Sequence, residues 1–165
     1  MPLDPLFEAG MFVKIEEEGW YRGKVVEAEV KDDDYKRRVQ VTVEVTEGEY
    51  AGGRANQTFW MESDYDGAVE RDMRKLYGLA LVCGLSKLEK KVDTVDDVLK
   101  LASKFVPKLE EKPLWFEVAF DKEGYAKMVA WLDDKRYREQ IGSKNEPAKQ
   151  EPEVDQNDDE DDDDF

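Results

Sequence analysis

Aromatic rings set beside guanidinium and ammonium groups are the residues here whose types and spacing could do chemistry. Trp20, Arg22 and Lys24 alternate along one stretch, Lys36, Arg37 and Arg38 are consecutive, and Tyr50 and Arg54 flank a pair of glycines. Trp60, Trp115, Tyr125, Lys127 and Trp131 follow, and Lys135, Arg136 and Arg138 close the series. Unpaired nucleic acid asks for this combination, since bases stack on rings for about 1–3 kcal/mol each while cations follow the phosphates. Protein-binding faces also use Trp, Tyr and Arg, so the placement of these residues on strands has to discriminate.

Other chemistries are poorly served. The chain has no histidine and one cysteine, Cys83, which removes Cys/His zinc sites, Ser/His and Cys/His nucleophilic pairs, and the commonest general base. Cys83 lies in an apolar run and reads as a small buried hydrophobe. Glu62, Asp64, Asp66 and Glu70 could mimic a Mg²⁺ site for phosphoryl transfer, and a metal-dependent nuclease would be built on them. Carboxylates are so abundant that a charged first helical turn accounts for the cluster more simply. The expectation is a protein that is not an enzyme and takes no cofactor or metal.

Charge divides the chain. Of a net −16, residues 143–165 hold −9, from eleven acids and two lysines, leaving −7 on residues 1–142. Asp158 to Asp164 are seven consecutive acids followed by Phe165. The tail composition cannot bury enough apolar surface to offset chain entropy, so 143–165 is expected to be a disordered acidic tail. A polyanion of this kind can compete with DNA for a cationic groove. Asp161, Asp162, Asp163, Asp164 and the Phe165 ring suit a basic-rimmed apolar pocket on a partner protein. The body is acidic as well, so any binding to phosphate depends on where its cations cluster.

The elements that must position these residues can be read from periodicity. Val39, Val41, Val43 and Val45 alternate with Arg38, Gln40, Thr42 and Glu44, the pattern of a half-buried antiparallel strand. Trp20–Val30 reads as a strand before it, with Val26, Ala28 and Val30 on one face, and Ala55–Met61 as one after it. Thr46–Gly53 is a glycine-rich loop that could close over a bound strand. Val69, Met73, Leu76, Tyr77, Ala80 and Leu81 recur at helical spacing up to Gly84, and Thr94 caps a second helix ended by Pro107. Leu114–Phe120 and Tyr125–Leu132 form a hairpin. In it Leu114, Phe116, Val118, Phe120, Ala126, Met128, Ala130 and Leu132 face inward, and Trp115, Tyr125, Lys127, Val129 and Trp131 face outward. Asp134–Ile141 adds a short basic helix.

Three strands, a helical segment and two strands predict a mainly β domain over residues 1–142 with a helical insertion, in the order of the OB-fold, a five-stranded Greek-key barrel. No apolar run approaches the roughly 18 residues of a membrane span and no secretion signal opens the chain, so a cytoplasmic protein without membrane contact is expected.

The stretch Val45–Gly53 leading into the third strand, and the tail Asp158–Phe165, resemble those of bacteriophage single-stranded-DNA-binding proteins of the OB-fold type. The resemblance implies coating of transient single strands in phage DNA replication or recombination, in the host cytoplasm, with the tail recruiting a polymerase, helicase or primase. A homodimer is left open. The acidic body supports a second reading, an acidic protein-interaction module or DNA mimic that inhibits host DNA-binding proteins.

Overall fold

A computed structural model describes residues 13–142. The expected domain boundary at 142/143 and everything assigned to the tail, including Asp161–Asp164 and Phe165, lie outside the described residues. The strands are β1 (Gly19–Lys31), β2 (Arg38–Val45), β3 (Arg54–Trp60), β4 (Pro113–Phe120) and β5 (Ala126–Leu132). The helices are α1 (Ala68–Val82), α2 (Val95–Phe105) and α3 (Asp134–Tyr137).

The sheet curls into a ring in the order β1-β2-β3-β5-β4. Antiparallel ladders join β1 to β2, β2 to β3, β4 to β5, and β4 back to β1. Closure between β3 and β5 is slight. One parallel pair, Asn56 with Lys127, makes it, helped by the Gln57 side-chain amide, which donates to the Met128 carbonyl oxygen at 2.8 Å. Strand β1 serves both halves of the ring, pairing with β4 through Gly19–Lys24 and with β2 through Gly23–Lys31. At the shared position the backbones approach so closely that a Cβ on Gly23 would overlap the Glu44 carbonyl oxygen.

The helices are not an ornament on a β domain, as the sequence suggested; the fold is mixed α/β. Alternating Val39, Val41, Val43 and Val45 face inward and are fully buried, as expected of β2. The segment between β3 and β4 supplies as much core again: Met73, Leu76 and Leu79 of α1, Leu88 of a 3-10 turn at Ser86–Lys90, Val98, Ala102 and Phe105 of α2, then Val106 and Leu109. Gly84, at φ 96°, ends α1 in a conformation that side-chain-bearing residues avoid. Helix α2 opens with a capping box, in which Asp97 N–H donates to Thr94 Oγ1 (3.3 Å) and Thr94 N–H donates to Asp97 Oδ2 (3.1 Å). Among the described residues no helix is long and apolar enough to cross a membrane.

Two bulges overturn simple alternation. In β1 the register shifts between Val25 and Glu27, so the inner face runs Gly23, Val25, Ala28, and Val26 is only half-buried. The predicted Val26–Ala28–Val30 face therefore fails at Val26. In β5 the partner of Glu117 is Ala130 and that of Val118 is Met128, leaving Val129 bulged and 44% exposed. Beyond it the faces exchange. Trp131 pairs with the buried Phe116 and turns inward, while Leu132 pairs with Trp115 on the outside.

Candidate functional site

Two outer faces carry the residues singled out by type. The first is built on β1, β4 and α3. Cross-strand pairing brings Trp20 opposite Glu117, Arg22 opposite Trp115 and Lys24 opposite Pro113, so the expected aromatic-basic face does assemble. It is already occupied from within the chain. The Tyr137 ring lies parallel to the Trp115 indole, with centroids 3.6 Å apart and planes 1° from parallel, and meets Trp20 at 6.0 Å. Arg22 grips Asp134 with two bonds, Nε to Oδ1 and Nη2 to Oδ2, both 3.1 Å, while Trp115 Nε1 donates to Asp134 Oδ1 at 2.8 Å. These bonds raise the Arg22 pKa and lower that of Asp134. A ring stack contributes about 0.5–1.5 kcal/mol, and a solvent-exposed ion pair about 0–1 kcal/mol. Lys24 is paired with Glu111 at 2.9 Å.

Beside this face an open cleft of about 500 Å³ runs between Glu17–Arg22 and Glu47–Tyr50, with Trp115 on its wall. Tyr50, expected on a mobile glycine loop, is wedged edge-on against Tyr21 at 6.0 Å, and the turn beneath it is closed by Gly53 N–H donating to the Tyr50 carbonyl oxygen at 2.8 Å. It is a packed wall, not a free clamp. Partial loss of hydration, then the charges of Glu17 and Glu49, raise both phenol pKa values. The cleft is thus negative, which disfavours phosphate.

The second face is the outer side of β2 and β3. Its register sets Arg38 beside Trp60, Gln40 beside Thr58, Thr42 beside Asn56 and Glu44 beside Arg54. The centre is uncharged. At one end Tyr35, 62% exposed on the β1–β2 loop, meets Trp60 edge-to-face at 5.8 Å, and the Arg38 guanidinium lies 5.6 Å from the Tyr35 ring centre. The neighbouring loop carrying the exposed Tyr65 is tied to this end by Lys36–Asp64 (3.3 Å) and by Arg37 N–H donating to Glu62 Oε1 (2.9 Å). Trp60 itself is fixed from behind: its backbone N–H donates to Oδ2 of Asp72, a buried carboxylate of α1, at 2.9 Å. At the other end Lys127 bonds Asn56 Oδ1 at 3.0 Å, and Tyr125, just before β5, is exposed.

The sequence candidates therefore separate. Lys36, Arg37, Arg38, Trp60, Lys127, Tyr125 and Arg54 border the second face; Trp20, Arg22, Lys24 and Trp115 form the first; Lys135, Arg136 and Arg138 lie on or beside α3. Trp131 belongs to neither outer face: it packs inward, edge-on to Phe59 at 5.7 Å, because the Val129 bulge reversed its side. Most of the cations are met by carboxylates, Arg38 by Asp33, Arg54 by Glu44 (both 3.1 Å) and Arg136 by Asp133 (2.8 Å) among them. Among the described residues the Arg37 side chain has no such partner. Strand parity gave no face to Tyr35, an aromatic candidate by type that sits in a loop, and residue types passed over the amide and hydroxyl groups of Gln40, Thr42, Asn56 and Thr58; the signal for Tyr35 was its place directly before Lys36-Arg37-Arg38.

The remaining candidates do not converge. Glu62 accepts from the Arg37 backbone, Asp64 pairs with Lys36, and Glu70 is held by Arg74 at 2.8 Å. Among the described residues no three carboxylate or cysteine side chains gather where they could share a metal ion. Burial pushes the Cys83 thiol up to about 12, so it stays protonated and unreactive at neutral pH.

No curated protein and no solved structure matches the chain. A family described as a protein of unknown function matches residues 9–149, and by that match the chain belongs to DUF669.

Proposed function

We propose that this protein binds single-stranded DNA without sequence preference, through the outer face of β2 and β3 and the loops at its two ends. In this reading the ring is an OB-fold. The order β1-β2-β3-β5-β4 and the helix between β3 and β4 support it, and in such barrels that same face, with the β1–β2 and β4–β5 loops, takes oligonucleotides. The observation that carries the reading is the exposed Tyr35 ring set against the half-buried Trp60 with Arg38 beside it, opening onto an uncharged polar surface. Rings receive bases, Arg37 and Arg38 receive phosphates, and Gln40, Thr42, Asn56 and Thr58 offer hydrogen bonds without like-charge repulsion.

The role that follows is coating of transient single strands in phage DNA replication or recombination. The segment 143–165, through Asp161–Asp164 and Phe165, would recruit replication proteins and compete with DNA. A titration with oligo(dT) tests the reading. Tryptophan fluorescence should be quenched at low salt, and Trp60→Ala should weaken binding by at least tenfold, the cost of about 1.4 kcal/mol of stacking. Absence of any quench at low salt sinks it. The alternative, an acidic interaction module or DNA mimic, draws support from the pairing of Arg22, Lys24, Arg38, Arg54 and Arg136 with carboxylates; it requires that wild-type protein leave the oligonucleotide unbound.

A further inference from the structure

We propose that the face of Trp20, Arg22 and Trp115 is a second nucleotide site, held closed in cis by residues 133–142, with the Tyr137 ring in the place of a base and the Asp134 carboxylate in the place of a phosphate. The inference rests on the single-strand-binding reading and adds its regulation.

Tyr137 lies on Trp115 as a nucleobase lies on an indole, parallel and at 3.6 Å, with Trp20 forming a side wall at 6.0 Å. Asp134 is held as a phosphate is held: a guanidinium fork takes both oxygens, and an indole N–H takes one of them again. Ring and anion come from positions three apart on one helical turn, so they are presented together on the same side of α3.

The segment that presents them has little stability of its own. Helix α3 is four residues long, too short to persist without tertiary contacts, and it passes directly into a π turn at Arg138–Gly142, a rare geometry that collects at functional sites. Gly142 folds back onto the Tyr137 ring, where a Cβ would come within 3.0 Å of it. The Trp115 stack and the Arg22 and Trp115 bonds to Asp134, which help fasten it to the barrel, are contacts a nucleotide would replace. The cleft beyond is lined by Glu17, Glu18, Glu47 and Glu49, which repel a following phosphate. The site accordingly takes one nucleotide at the edge of the molecule and not a continuing strand.

Because the closed form withholds this site, what it adds to DNA affinity is scaled down by the fraction of molecules that are open. The test uses the full chain and fluorescein-labelled oligo(dT), read by anisotropy, with circular dichroism to verify folding. Tyr137→Ala should tighten binding roughly three- to tenfold, and Asp134→Asn should tighten it in the same direction. Adding Trp115→Ala to Tyr137→Ala should remove the gain. Equal affinities of wild type, Tyr137→Ala and Asp134→Asn overturn the inference while leaving the β2–β3 reading intact, and so does a gain that survives Trp115→Ala. Should Tyr137→Ala fail to fold, Asp134→Asn decides alone. Binding by the opened variants that Trp60→Ala leaves untouched, with none by wild type, overturns the β2–β3 reading and keeps this one. If neither wild type nor the opened variants bind, both fall.

Discussion

Arg38 is the residue on which the exposed end of the β2–β3 face turns, because it serves the Tyr35 ring and the Asp33 carboxylate at once. Its Nη1 and Nη2 donate to the two Asp33 oxygens at 3.1 and 3.2 Å. This bond, seconded by Tyr35 N–H donating to Oδ1 at 3.0 Å, holds the Asp33 pKa down to about 2. The group is depressed, so what it adds to the loop is present above the ordinary carboxylate pKa of about 3.9 and fades as pH falls from there toward 2. A carboxyl-detected NMR titration should find the Asp33 midpoint at about 2, and Arg38→Ala should return it most of the way to about 3.9. An unmoved midpoint in the variant would mean that the backbone amides, not the guanidinium, hold the charge. An arginine engaged in this way can still meet a phosphate, but it must exchange one anion for another.

At the scale of elements, α1 positions the aromatic end of the same face from behind. Asp72 is the one polar side chain buried in the described residues, and it is satisfied twice, by Trp60 N–H at 2.9 Å and by Arg71 Nε at 3.0 Å. Asp72→Ala leaves the Trp60 N–H at the end of β3 without its acceptor, a loss of about 1–3 kcal/mol. Urea denaturation should register that loss, and oligo(dT) affinity should fall with it as the Trp60 ring loses its fixed position. A stability change without any change in affinity would separate Trp60 from binding. Much of this architecture was legible beforehand. Strand β2 is regular from end to end, so its alternation named both faces correctly, and the Thr94 cap, Gly84 stop and Pro107 break each had a local cause. What was not legible is non-local. The bulges at Val26 and Val129 are imposed by pairing with β2 and β4, and they reversed the assignments of Val26 and Trp131. The partner of Arg22 is Asp134, 112 residues away, so a cation that looked available by type turned out to be engaged. Tyr35 was undervalued because loops carry no periodicity that assigns a face.

For the whole molecule, electrostatics sets how binding must depend on salt. Even without residues 143–165 the remaining 142 residues carry −7, so long-range attraction to a polyanion is weak and contact has to come from a few local cations. On the β2–β3 face these are Lys36, Arg37, Arg38, Arg54 and Lys127, of which Lys36, Arg38, Arg54 and Lys127 are already paired with Asp64, Asp33, Glu44 and Asp121. Three or four phosphate contacts on a single strand correspond to a slope of roughly −2 to −3 in log K against log salt. That is a loss of about 20- to 50-fold between 50 and 200 mM. Stacking on Tyr35 and Trp60 is insensitive to salt, so measurable affinity should persist at the higher concentration, and duplex DNA, whose bases cannot reach the rings, should bind more weakly at every salt concentration. A fluorescence titration of (dT) oligomers across this range checks the slope directly. A value near −6 would require cations that this face does not possess and would move the interface elsewhere. A slope near zero would remove phosphate from the contact and leave stacking on the rings as all that holds the strand.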